Sequence, residues 1–449
     1  MTTTDLAPEP SEPTALVDAG ASPREMRRIL LSSLLGTAIE YYDFILYATA
    51  AALVFNRLFF SGVGGTTALY LSFGTLAVGY VARPLGGLLF GHLGDRLGRK
   101  AMLITTVVLM GAASTLVGLL PTTAQIGVAA PILLVTLRVV QGIAIGGEWG
   151  GAMLIAFEHS RKSSRGFTSS FAYIGAPVGT ILATLVLSVA FALPKADFDA
   201  WGWRIPFLLS AVLVIVGVFI RLKVTESPLF KQAAAAPQPR KVPALEVLTE
   251  HRRGLGLAIF AGIAGQAAQG LMGAWAISYA VQRSVLNPSA VLNVKALAGV
   301  FTIIMIIVAA RLSDRLGRKQ VMLAGSIAAM ALAFPITWLL ESGTVLGLFL
   351  ALFLGLSVIQ GFTAGPYGAF AAELFPTRVR YSGTSMGYQL ASTLGAGFTP
   401  LIATALVAAA GGALWLVALA WIGFSACTTV ALLLARDGRK RERELTEIG

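Results

Sequence analysis

Apolar runs of about twenty residues recur from end to end of this 449-residue chain, separated by short polar breaks. Each run is long enough to cross a ~30 Å hydrocarbon core as a helix. They fall near 29–54, 66–90, 101–120, 131–156, 167–193 and 204–222, and resume near 254–282, 290–310, 320–340, 344–372, 382–409 and 412–435. The pattern therefore predicts about twelve membrane-spanning helices. Two of the breaks are densely charged and nearly identical: Gly91–Lys100 reads GHLGDRLGRK and Ala310–Lys319 reads ARLSDRLGRK. Charge of that density does not lie in hydrocarbon, so both mark turns at a membrane surface.

The two turns expose an internal repeat. Asp95 and Asp314 stand 219 residues apart, and Gln141-Gly142 is echoed by Gln360-Gly361 at the same offset. Glu158 and Arg165 are seven apart, as are Glu373 and Arg380. The expected fold is an all-α polytopic membrane protein built from two parallel six-helix repeats, related by an axis along the membrane normal. The layout is a tail over 1–23, a first bundle over 24–222, a linker over 223–253, a second bundle over 254–435 and a tail over 436–449. The linker's Pro243–Arg253 alternates apolar and charged positions. It fits a short helix on the inner leaflet or an unstructured tether.

Composition agrees: 56% of residues are hydrophobic and 12% charged, against roughly 25% charged in soluble domains. A net charge of +12 would suggest nucleic acid on a soluble fold, but here the bases sort by membrane side. With the N-terminus inside, 27 of the 34 Lys and Arg residues face the cytoplasm and five, Lys295 among them, fall on the outer side. Both termini are thus expected in the cytoplasm, with the lipid bilayer and not nucleic acid as the surrounding partner. The first 23 residues carry four acids and no base, and read as a disordered tail. The single Cys427 makes no internal disulfide, and His92, His159 and His251 lack metal-ligand spacing. No metal site, cofactor or catalytic constellation is expected, and neither is ATP-driven chemistry.

Ionisable residues inside spans carry the functional signal, because each is costly in lipid unless paired or hydrated. In the first span Glu40 and Asp43 are three apart and project from one helical side, with Tyr47 on the same stripe and Tyr42 beside them. Two such carboxylates compete for ionisation, so one can hold a proton near neutral pH, as a proton carrier requires. A static polar anchor is the alternative. In the fourth span Arg138, Gln141 and Glu148 share one face. A buried Arg needs a carboxylate, its own or a substrate's. Glu40, Asp43, Arg138 and Glu148 are therefore the candidate proton-coupling group, with a structural salt-bridge set as the alternative. At the repeat offset Arg138 becomes Ser357 and Glu148 becomes Tyr367. The second half is thus expected to shape a pocket with uncharged groups: Gln266, Gln269, Trp275, Tyr367 and Gln389. Tyr42, Tyr47, Arg138 and Gln141 complete the candidate substrate contacts. Gly86-Gly87, Gly91, Gly146-Gly147, Gly150-Gly151 and Gly395/Gly397 read as close helix-packing points.

These residues resemble the major facilitator superfamily, and within it the metabolite:proton symporters. The resemblance rests on Gly91–Lys100, on Leu134-Arg138-Gln141-Gly142, and on the stretches Gly36–Phe44, Ala82–Gly87, Gly146–Ala152, Trp201–Phe207, Thr225–Pro228 and Pro376–Arg380. It implies two bundles around a central cavity that opens alternately to each side, and coupling of proton entry to uptake of a small metabolite such as shikimate, 2-oxoglutarate, citrate, proline or glycine betaine. It further implies a cytoplasmic latch made of Gly91, Asp95, Arg96, Gly98 and Arg99, with Glu158, Arg165, Asp314, Arg315, Arg318, Glu373 and Arg380. The second copy has Ala310 and Ser313 where the first has glycine, so weaker latching is expected there. The expected function is proton-coupled import of a small organic acid by a monomer in a bacterial plasma membrane. A zwitterion symporter or a drug-efflux antiporter are the alternatives.

Overall fold

Long apolar runs without water to satisfy their backbones fold as helices, and the computed structural model contains no strand among its described residues. It describes residues 23–97, 99–146, 153, 154, 156, 157, 160, 164–222, 243–283, 286–376 and 379–435. The expectations for the two tails and for linker residues 223–242 lie outside these residues.

Twelve long helices are described. They are α1 (Pro23–Ala50, continuing to Leu58), α2 (Gly65–Leu97), α3 (Arg99–Leu119), α4 (Ala129–Gly146), α5 (Arg165–Phe191) and α6 (Ile205–Leu222). The second half supplies α7 (Arg252–Arg283), α8 (Pro288–Leu316), α9 (Arg318–Glu341), α10 (Val345–Glu373), α11 (Arg380–Ala409) and α12 (Trp415–Leu434). Eleven are long and apolar enough to span a bilayer; in α3 the apolar part is the shorter Ile104–Leu119. The linker stretch that permitted either a short helix or a tether is helical over Pro243–Glu250. It buries Val247 against Leu255, Ala258, Phe375 and Val379.

Local chemistry sets the helix ends. Asn287 caps α8 by accepting a hydrogen bond from Ala290 N at 2.7 Å, with Pro288 at the first helical position. Thr344 caps α10 through Gly347 N at 3.0 Å. Gly317, at φ +108°, is the single residue that separates α8 from α9. A side chain would be strained there, which explains the glycine near the end of the repeated charged motif.

The repeat governs the packing. In the first half α1 packs on α5, α2 on α4, α3 on α6 and α1 on α6. Six helices later the same pairs recur as α7–α11, α8–α10, α9–α12 and α7–α12. The π-helical turn Ala51–Phe55 in α1 is matched by Leu271–Trp275 in α7. The halves meet through α5 against α8 and α2 against α11, which the six-helix shift interchanges. The resulting architecture is two parallel-repeat six-helix bundles around a central cavity.

Glycines permit the closest contacts. A Cβ at Gly86, Gly142 or Gly146 would overlap the backbone carbonyl of Ile143, Gly79 or Arg83 respectively, so α2 and α4 touch backbone to backbone. Gly175 and Gly179 do the same for α5 against α1, at the carbonyls of Leu34 and Ala38. Below, the motif face is the end carrying the α2–α3 and α8–α9 turns.

Candidate functional site

The cavity between the halves, with the open solvent at its mouth included, has an empty volume of about 890 Å³. Its wall on the first half carries Tyr41, Phe44, Tyr80, Arg83 and Tyr173. The second half supplies an amide- and hydroxyl-rich wall of Gln266, Gln269, Gln360, Thr302 and Thr363, together with Tyr367, Tyr388 and Lys295. No Asp or Glu is among the described lining residues.

These groups are held by bonds that cross between the halves. The hydroxyls of Tyr41 on α1 and Tyr388 on α11 share a hydrogen bond. Arg83 Nη1 donates to Ser392 Oγ at 3.2 Å, and its guanidinium lies 4.1 Å from the Phe44 ring centroid and 4.2 Å from that of Tyr80. Lys295 Nζ donates to Thr49 Oγ1 at 3.0 Å. Within the second half, Gln360 Nε2 donates to Gln269 Oε1 at 2.8 Å, and Tyr367 Oη to the Ala258 carbonyl at 3.0 Å.

Asp43 and Arg138 lie elsewhere, inside the first bundle. Asp43 is 1% exposed and accepts from Ser210 of α6 and from Ser114 of α3. Gln141 Nε2 donates to Ser114 at 2.8 Å, and Arg138 Nη1 donates to Gln141 Oε1 at 3.1 Å. Arg138 and Asp43 are thus joined through two uncharged side chains across α4, α3 and α1. The Arg138 guanidinium lies 4.2 Å from the Phe44 ring centroid and 4.1 Å from that of Tyr47. Its Nε and Nη2 have no hydrogen-bond partner among the described residues. Delocalised charge on two aromatic faces is a setting Arg tolerates better than Lys.

Several sequence expectations require correction. The two acids lie within electrostatic reach of each other but have different hydrogen-bonding surroundings: Asp43 faces α3 and α6, whereas Glu40, 7% exposed, also sits within electrostatic reach of Tyr41 and Tyr388 at the interface. A three-residue spacing leaves about 60° between two side chains, enough to part them where helices pack on both sides. Of the expected substrate contacts, Gln266, Gln269 and Tyr367 line the cavity, while Tyr42, Tyr47, Arg138, Gln141, Trp275 and Gln389 are not among its lining residues. Tyr42 donates to the Pro206 carbonyl at 2.7 Å and Tyr47 to Thr75 Oγ1 at 2.8 Å. Trp275 stacks on Tyr279, and Gln389 Nε2 donates to the Gly146 carbonyl at 3.3 Å. The hydroxyls of Tyr42 and Tyr47 and the Gln389 amide nitrogen thus find partners inside the protein and away from the cavity lining. Nor is the second half without buried charge. Lys295, assigned by sequence to the outer side, is 1% exposed in the cavity wall. Glu148 lies outside the described residues.

Sequence reasoning overlooked Arg83, Lys295, Tyr41, Tyr80, Tyr173, Tyr388 and Gln360. Arg83 and Lys295 bore the same signal that selected Arg138, an ionisable group inside an apolar run. The tyrosines bore none, because tyrosine is ordinary both in cores and near membrane surfaces.

At the motif face the second charged copy makes a defined contact. Both Asp314 carboxylate oxygens accept from the first turn of α5, from Gly166 N and Phe167 N at 2.9 Å each. A carboxylate is well placed at a helix N-terminus, where unpaired N–H groups and the helix dipole converge. A Cβ on Gly166 would come within 2.7 Å of Asp314 Oδ1, so glycine there admits the carboxylate. Arg318 pairs with Glu373 at 3.0 Å and Asp314 at 3.7 Å. Arg311 lies 4.7 Å from the Phe167 ring centroid, and Arg165 lies 4.8 Å from that of Phe157. Arg380 Nε donates to the Ala372 carbonyl at 3.0 Å, and Arg315 is exposed. The second copy thus makes a two-bond clasp between the halves. Gly98 and Glu158 lie outside the described residues, as do the side chains of Gly91, Asp95, Arg96 and Arg99.

Fold and cavity together define a polytopic membrane transporter. The family model of the Major Facilitator Superfamily matches residues 33–400, and the chain belongs to that family. Over 419 residues it is 40% identical to the inner membrane metabolite transport protein YhjE of Escherichia coli (strain K12), covering 92% of this chain and 94% of that one. It is 38% identical to the shikimate transporter of the same organism over 417 residues, 92% of this chain and 95% of the relative. The fold superposes with a TM-score of 0.68 on the E. coli xylose transporter XylE in a partially occluded inward-open conformation. That match has 16% identity and covers 91% of this chain and 98% of the other.

Proposed function

We propose that this transporter imports a small organic acid together with a proton, by alternating access, with the motif face in the cytoplasm. The observation that carries the reading is the charge of the cavity wall: among the described residues Arg83 and Lys295 line it and no carboxylate does. In a low-dielectric space two cations attract an anion and repel the positive end of a zwitterion. The amide and hydroxyl wall of the second half suits a polar, oxygen-rich body. Asp43 is the proposed proton carrier, buried in the first bundle and linked by hydrogen bonds to Arg138. Glu40, at the interface, is proposed to pass protons between the cavity and that network. The proton is then the coupling ion, and a monomer suffices because the cavity is built within one chain.

A zwitterionic osmolyte is the second reading. It is favoured by Tyr41, Tyr80, Tyr173, Tyr367 and Tyr388 in the cavity wall, whose ring faces can accept a quaternary amine.

Uptake into proteoliposomes under an imposed pH gradient and a valinomycin-set potential separates the two. One proton with a monoanion moves no net charge, so the pH gradient alone drives it, at about 1.4 kcal/mol per unit. One proton with a zwitterion gains a further ~2.3 kcal/mol per 100 mV. Uptake of an acid that ignores voltage is expected, and Asp43→Asn should abolish the proton-driven component while the protein still reaches the membrane. Zwitterion uptake driven by voltage would refute the acid reading, and full proton-driven uptake by Asp43→Asn would remove that residue's role.

A further inference from the structure

Among the described residues Lys295 is the cavity-wall cation held by neither an ion pair nor an aromatic face. It stands near the start of α8, opposite the motif face, and is 1% exposed. Its ammonium carries three donors, yet among the described residues its one hydrogen bond goes to the neutral Thr49 Oγ1. None of the ion pairs found among the described residues includes it. Arg83 and Arg138 differ, because each lies between two aromatic faces and is hydrogen-bonded besides. A buried ammonium held by one hydroxyl is costly, and the cost falls when a carboxylate arrives.

We propose that Lys295 is the residue that selects substrate charge: its ammonium releases Thr49 and takes the carboxylate of the incoming acid. The proposal rests on the acid reading above. The exchange has a structural consequence, because Thr49 belongs to α1 of the first half and Lys295 to α8 of the second. While the cavity is empty the bond ties the two halves together. A carboxylate that displaces the hydroxyl loosens the tie as it binds, so substrate entry and rearrangement share one donor. Gln269 and Gly299 line the cavity with Lys295.

The test is uptake by the full chain in proteoliposomes of labelled shikimate, 2-oxoglutarate and citrate, with proline and glycine betaine as zwitterionic probes. Wild type, Lys295→Gln and Thr49→Val are compared at one pH gradient. For the acid that wild type takes up, Lys295→Gln should raise KM by about thirtyfold or more, the loss expected when one partner of a buried charge pair is truncated. Thr49→Val should lower KM severalfold, because the ammonium no longer has a competing acceptor. Unchanged KM values in both variants, with wild type still importing an acid, overturn the role of Lys295 and leave the acid reading intact. If wild type imports the zwitterions alone, both fall. Should Lys295→Gln not reach the membrane, Thr49→Val decides: a lowered KM supports the exchange and a wild-type KM overturns it.

Discussion

Replacing Asp314 with alanine should open the motif face. The carboxylate accepts two backbone hydrogen bonds from α5, both at 2.9 Å, and its side chain is 8% exposed. A hydrogen bond to a charged group contributes about 1.5–3 kcal/mol, and a carboxylate at a helix N-terminus adds about 0.3–1 kcal/mol through the dipole. Water reaches the freed amides once the ends part, so roughly half of that gross sum survives, about 2–3 kcal/mol. Since the contact joins α5 of one half to α8 of the other, this energy biases the halves toward closure at this face. At about 1.4 kcal/mol per decade, its loss shifts the closed-to-open ratio by roughly thirty- to a hundredfold. Pulsed spin-label distances between the motif-face ends of α5 and α8 measure the populations directly. Wild type should give a short distance, and Asp314→Ala a distribution dominated by a longer one. Asp314→Asn, which keeps one oxygen acceptor but no charge, should fall between them. Identical distributions for wild type and Asp314→Ala would refute the assignment of closure energy to this contact.

Two further outcomes follow from the packing of the first half. Gly86→Ala forces a methyl onto the Ile143 carbonyl and should lower stability in detergent by about 1–3 kcal/mol, whereas Gly64→Ala, which meets nothing within 4 Å, should melt like wild type. Ser114→Ala removes the hydroxyl between Gln141 and the buried Asp43, and should cost about 1–3 kcal/mol and impair transport; wild-type melting and uptake would show that the hydrogen-bonded chain has no role.

The repeated charged turn, read as a division of the chain, is also where the tertiary structure places a contact between its halves. Gly317 shows how directly some of this was legible: a one-residue break between long helices needs positive φ, and the motif carries glycine at that point. Span positions and the parallel repeat were equally legible, because hydrocarbon thickness sets helix length and a two-copy chain repeats its spacing. The partner of Asp314 was not. Nothing near residue 314 names Gly166 and Phe167, which lie almost 150 positions away and meet it only when α5 packs on α8.

What the amino-acid order determined by itself was therefore the periodic and the local: twelve apolar helices, two related halves, a membrane setting and the ionisable residues that had to be buried. What only the tertiary structure decided was which way those residues point. Asp43 and Arg138 turn into the first bundle, where hydroxyls, an amide and aromatic faces surround them. Lys295 and Arg83 turn into the cavity. The physical reason is that helical spacing assigns a side chain to an arc of about 100° per residue, while its surroundings depend on which neighbouring helix occupies that arc. A buried charge is visible in one sequence, but its partner becomes visible only after the helices have packed.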